Sequence, residues 1–347
     1  MKKTLFLFVS ALLILLSSSC RKSLADGESA QVRITICAPA DLATKSIGDG
    51  TAAKNLVFAV FDAQGNELPA LRQGDWTKGA AEIVFNQTDE QGRPSTTVSA
   101  TLVKGKAYTF VCWAQNKSAA CYDFTDMKAI EVSYDDALAQ DEDRDAFYVA
   151  QKSGLIKDGY DVTLVLTRPF AQVNVGTGDV QAAYEAGLDV TNLYSTMTLT
   201  NVAHKLYTFW GAEPGDDDKD GTADDFKTVT FSLQPSISKA TWDETTVKAG
   251  HEWLTISKDG YRNQKYGWLA MNYLLVDKAK TYDVTFSLYE GENYKLSDFH
   301  VSAVSLDVNC RTHLLGNLFT STGQIAVVIE PAFRNDDIVG PAPVPVP

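Results

Sequence analysis

The sequence predicts an all-β protein built as two antiparallel β-sandwiches in tandem. Three observations lead there. Eighteen short runs, apolar or alternating, follow one another between residues 31 and 333, with turn-forming residues between them. Only residues 179–186 read as a helix, with an Asp cap followed by Ala and Glu. The length of 347 residues exceeds what one core organises at about 150 residues per domain.

Residues 1–19 read as a lipoprotein signal peptide. Met1-Lys2-Lys3 is a basic start, residues 5–16 are apolar except for Ser10, and Ser17-Ser18-Ser19 leads into Cys20. A twelve-residue apolar stretch is short of the ~20 residues that a spanning helix needs. Cleavage before Cys20 leaves an N-terminal cysteine whose acyl chains, at about 0.8 kcal/mol per buried methylene, anchor the protein to a membrane. Residues 20–30 are then a polar tether.

The first sandwich is expected over residues 31–167. Residues 32–36 alternate apolar and polar side chains, the pattern of a half-buried strand. Residues 56–61 are continuously apolar and end at the turn cluster Asp62-Ala63-Gln64-Gly65-Asn66. Further strands are expected at 81–85, 97–103, 107–114, 129–133, 146–151 and 161–167, and the turn Lys104-Gly105-Lys106 predicts an antiparallel hairpin. Residues 135–145 hold six carboxylates and read as a solvated loop or short exposed helix. The second sandwich, residues 168–333, has expected strands at 171–175, 196–201, 206–209, 228–233, 253–257, 268–273, 281–289, 299–306, 312–319 and 324–329. Residues 334–347 form a proline-rich tail.

Loss of residues 1–19 takes two lysines and moves the formal charge from −13 to −15. No basic cluster follows Arg21-Lys22, so nucleic acid is excluded as a partner. Cys37, Cys112, Cys121 and Cys310 lack CxxC spacing, which argues against zinc and thioredoxin-like chemistry. An oxidising envelope permits a Cys112–Cys121 disulfide, while apolar surroundings favour free thiols, and the pairing stays open.

Asp216, Asp218 and Asp220 followed by Gly221 reproduce the opening of a calcium loop, with Asp224 or Asp225 to close the shell. Lys227 stands where that loop expects Glu, so the competing reading is a solvated acidic loop. Trp210, Trp242, Trp253 and Trp268 gather in the second half. Trp210, beside the acidic loop, is the candidate ligand platform, against the alternative of core packing. His204, His251, His300 and His313 form no HExxH pair, and GxSxG, GxGxxG and GxxxxGK[ST] motifs are absent, so no catalytic residue is assigned.

Val57-Phe58-Ala59-Val60-Phe61-Asp62 and Lys104-Gly105-Lys106-Ala107-Tyr108-Thr109-Phe110-Val111-Cys112-Trp113-Ala114 resemble the first domain of the fimbrillin-like proteins of Bacteroidota, the type V pilins and their relatives. Leu166-Thr167-Arg168-Pro169-Phe170-Ala171-Gln172-Val173-Asn174-Val175 is similar to the strand entering their second domain, and Arg311-Thr312-His313-Leu314-Leu315-Gly316-Asn317-Leu318 to their penultimate strand. The resemblance implies two transthyretin-like, Greek-key sandwiches in a lipoprotein of the outer membrane and cell surface. It implies a fimbrial subunit or adhesin, with other subunits or host and surface glycans as partners.

In polymerising relatives a protease removes the N-terminal strand, and a strand from the next subunit fills the groove. Here residues 32–36 would leave, with the cut in residues 39–55. Relatives are often cut after arginine. This segment has only Lys45 and Lys54, and Lys45 is the candidate. The proline-rich end cannot be an ordinary donor strand, because proline lacks the backbone N–H. Residues 324–329 either donate or complete their own domain. These departures point to an anchor, tip or accessory subunit. The alternative is a non-polymerising, carbohydrate-binding surface lipoprotein.

Overall fold

The computed structural model describes residues 27–39, 50–135, 141–209, 226–235, 253–254, 256, 258–261, 264–277, 279–320 and 325–331. The first half contributes β1 (Ser29–Cys37), β2 (Asn55–Phe61), β3 (Ile83–Val84), β4 (Gln87–Thr88), β5 (Pro94–Val103), β6 (Thr109–Gln115), β7 (Tyr122–Asp123), β8 (Ala129–Val132), β9 (Phe147–Lys152) and β10 (Asp161–Val165). Two four-stranded sheets result, ordered β10-β1-β5-β4 and β3-β2-β6-β9. They enclose a core in which Val32, Ile34 and Ile36 of β1 meet Leu56, Phe58 and Val60 of β2 and Phe110 and Cys112 of β6.

The second half contributes β11 (Phe170–Thr177), α1 (Val180–Glu185), β12 (Leu193–Ala203), β13 (Lys205–Tyr207), β14 (Phe226–Pro235), β15 (Trp253–Leu254), β16 (Tyr266–Leu275), β17 (Tyr282–Glu290), β18 (Tyr294–Val304), β19 (Cys310–Gly316) and β20 (Ala326–Pro331). Its strands run as β18-β17-β12-β14 and β15-β16-β11-β19-β20, joined through the single pair Ala203 and Leu275. Met197, Leu199, Val284, Phe286, Val173 and Leu314 fill the space between them. The protein is all-β with packed sheets, as expected from the short strands.

A third core lies between the halves. The other face of β2 and β6, through Val57, Ala59, Phe61, Val111 and Trp113, packs in one cluster with Phe170, Trp268, Met271 and Tyr273. This explains the continuous apolar runs. The middle sheets bury both faces, so alternation disappears from β2, β6 and β16, whereas β1 and β12 keep it. A three-stranded sheet ordered β13-β8-β7 straps the halves together, with Leu206 opposite Ile130.

Four expectations are corrected. β5 and β6 are not a hairpin: β5 pairs with β1, β6 pairs with β2 and β9, and Gly105 (φ 76°) turns the chain from one sheet into the other. The acidic stretch is not solvated throughout, because Asp145 is buried and grips Arg168 with both carboxylate oxygens at 2.7 Å. Asp179 does not cap α1 with its side chain; its carboxylate instead accepts from the backbone N–H groups of Phe319 and Thr320. β18 begins at Tyr294, five residues before the expected start. Cys37, Cys112, Cys121 and Cys310 are all free thiols.

Buried polar groups cross the junction. Arg168 lies over the Phe147 ring at 4.8 Å and donates to Asn309 Oδ1 at 3.2 Å. The Tyr134 hydroxyl accepts from the Leu275 backbone N–H at 2.9 Å. His313 on β19 meets Glu330 on β20 through Nε2 at 2.9 Å, while its buried Nδ1 has no partner among the described residues. Burial lowers the His313 pKa below 6.5, opposed in part by the hydrogen bond to Glu330. The unfolded state then binds a proton more readily than the folded one. The stability this contributes is present above pH 6.5 and is lost as pH falls through the lower folded value. Urea unfolding at pH 7.5 and 5.0 is expected to show a loss of stability that His313→Phe reduces.

Candidate functional site

The groove that holds β1 is the candidate site. β1 is inserted between β10, to which it runs parallel from Arg33 opposite Asp161 to Cys37 opposite Val165, and β5, to which it runs antiparallel from Ser29 opposite Val103 to Cys37 opposite Ser95. Val32, Ile34 and Ile36 point inward and are buried, whereas Gln31 and Arg33 face solvent. Their branched side chains favour the extended backbone, and the period of two puts all three on one face. Burying each contributes roughly 1.5–3 kcal/mol.

The ends of β1 are fastened separately. Leu166 N–H donates to Cys37 O at 2.9 Å and Ala38 N–H to Pro94 O at 2.8 Å. At the other end Lys104 Nζ reaches the carboxylates of Glu28 at 3.0 Å and Asp158 at 2.8 Å. These carboxylates are exposed, so the pairs contribute little beyond position. Among the described residues β10 pairs only with β1. Removing β1 therefore bares two strand edges of opposite sense and an apolar slot between them. The slot's far wall includes Cys112, whose thiol pKa burial pushes far up.

The expected removable strand thus lies in place within the first half. Cys20, Lys45, Trp210, Asp216, Asp218, Asp220, Asp225, Trp242 and His251 lie outside the described residues. Trp268 is a core residue, 9 % exposed, whose Nε1 donates to Asn174 Oδ1 at 3.2 Å. Of the expected strand 324–329, residues 326–329 belong to β20, which pairs with β19 and completes its own sheet. The Arg168–Asp145 pair escaped the sequence reading. Arg168 stands at the expected join of the two sandwiches, in a stretch that resembles a strand, and nothing local marks its partner. Among the described residues no helix is long and apolar enough to cross a membrane, and no three His, Cys, Asp or Glu side chains are grouped to hold a metal ion.

The model of a family of unknown function, DUF6562, matches residues 26–342. The chain belongs to that family. None of the curated proteins matches this DUF6562 member. It is similar to a solved structure of candidate polysaccharide-binding proteins (DUF1812) from Bacteroides thetaiotaomicron, with 12 % identity and a TM-score of 0.46 over 87 % of this chain and 98 % of that one. A candidate adhesin from Bacteroides ovatus is 9 % identical, with a TM-score of 0.45 over 89 % and 96 % of the two chains. A fimbrial assembly protein from Parabacteroides distasonis is 13 % identical, with a TM-score of 0.45 over 88 % and 97 %.

Proposed function

We propose that this DUF6562 protein is a cell-envelope lipoprotein, anchored through Cys20, that serves as an anchor, tip or accessory subunit of a fimbria or as an adhesin. β1 is its exchangeable strand. The observation that supports this is the seating of β1: an N-terminal strand held between two others, filling the core with three side chains and followed by a segment that contains Lys45. A strand from another subunit would have to run parallel to β10 and present apolar residues at alternate positions.

Nicking the chain with a lysine-specific protease tests the reading. A synthetic, isotopically labelled peptide of residues 29–37 is then added in excess. The nicked chain is expected to exchange its own β1 for the labelled peptide, and, in a separate run without peptide, to let iodoacetamide alkylate Cys112 while the slot is empty; the intact chain is expected to do neither. Filaments from nicked protein, seen by electron microscopy, would support assembly over adhesion alone. If the chain cut after Lys45 keeps its β1 and never exposes Cys112, the strand is structural and the proposal fails.

A further inference from the structure

A cavity of about 1050 Å³ lies at the open side of the second half, far in sequence from the β1 groove. Residues 296–302 of β18 line it without interruption. Successive side chains of a strand point to opposite faces, so a space that touches seven in a row runs along the strand's edge. That edge is open: β18 pairs with β17 alone among the described residues. Every second residue of β18 therefore turns its backbone N–H and C=O away from β17. Ser297 Oγ is buried there and has no hydrogen-bond partner among the described residues.

The opposite wall is apolar and fixed. Leu188, Leu318, Phe319 and Ile325 line it. Leu318 N–H donates to Thr177 Oγ1 at 2.9 Å, and Phe319 and Thr320 N–H donate to Asp179 Oδ2 at 3.1 and 2.7 Å. Asp179 is thus used to hold this wall, which accounts for its absence from the α1 cap. The charged lining consists of Glu290 and Asp298; Asp298 is paired with Lys295 Nζ at 2.7 Å on the same strand, which leaves Glu290 as the carboxylate that faces an incoming cation.

We infer that this groove binds a short extended peptide of a partner protein, added as a further strand on β18. Apolar residues at alternate positions would face the Leu318–Ile325 wall, and a basic residue would sit near Glu290. Seven strand residues span about 23 Å, which makes the ligand a linear segment of that length. Backbone pairing supplies its affinity and the apolar wall its register. The inference does not depend on exchange of β1.

Titration of the full chain with a fluorescein-labelled, end-capped heptapeptide alternating lysine and valine tests it. Saturable binding in fluorescence polarisation is expected, with slowed amide exchange in residues 296–302. Proline at the central position removes a backbone donor and is expected to weaken binding about tenfold. Glutamate in place of lysine is expected to weaken it further. Ile325→Arg should reduce affinity about tenfold, the charge being set against the peptide's lysines. Equal binding of the proline peptide, or binding without protection of residues 296–302, overturns the inference. Protection of those amides that grows with protein concentration and needs no peptide would assign the edge to a second copy and overturn it as well.

Discussion

Replacing Asp145 by alanine is expected to lower the unfolding free energy by about 3–5 kcal/mol, measured by urea denaturation at pH 7. The side chains of Arg168 and Asp145 are each 1 % exposed. Removing the carboxylate strands a guanidinium where water cannot replace it. The cost belongs to the orphaned charge more than to the pair, so a double substitution, Asp145→Leu with Arg168→Met, should recover most of the loss. A single-variant cost below about 1 kcal/mol would mean that water reaches Arg168 and that the junction is looser than its burial implies.

Ile34→Asp is the second large effect. Ile34 is fully buried at the middle of β1, opposite Val98 and beside Val162. A carboxylate there would stand among apolar side chains, and burying it is expected to cost more than about 4 kcal/mol. The chain has a cheaper course than unfolding throughout, which is to release β1. Alkylation of Cys112 should therefore become fast at denaturant concentrations where the second half keeps its near-ultraviolet circular dichroism. Ile34→Val, at about 0.5–1.5 kcal/mol, should leave Cys112 protected. If Ile34→Asp unfolds both halves together with no window of Cys112 reactivity, β1 is not a separable unit.

The strands that bury one face or both were legible because burial writes itself into the period of the sequence. The same signal distinguishes β5, which alternates, from β6, which does not, and it could have corrected the expected hairpin. Gly105 determines that the chain turns, not which strands pair after it. β4 and β7, two residues each, are too short to carry any period. Asp145 looked like one more solvated carboxylate because its partner stands 23 residues away. The early start of β18 was hidden by Tyr294-Lys295-Leu296-Ser297-Asp298, whose polarity suits an edge strand and resembles a loop. For the candidate site, β1 itself was readable. The strand that becomes β10 was readable too, but its parallel pairing with β1 was not, since pairing across more than a hundred residues leaves no local mark.

The arrangement of β1 also sets how the protein bears load. A pull on the chain before Ser29, directed along the strand, meets hydrogen bonds to β5 and β10 that lie across the direction of force. They are stressed in shear and must yield nearly together. A pull at right angles would peel them one pair at a time. The same strand is thus mechanically strong towards tension from its N-terminal side and weak towards a competitor that enters from one end and displaces it pair by pair.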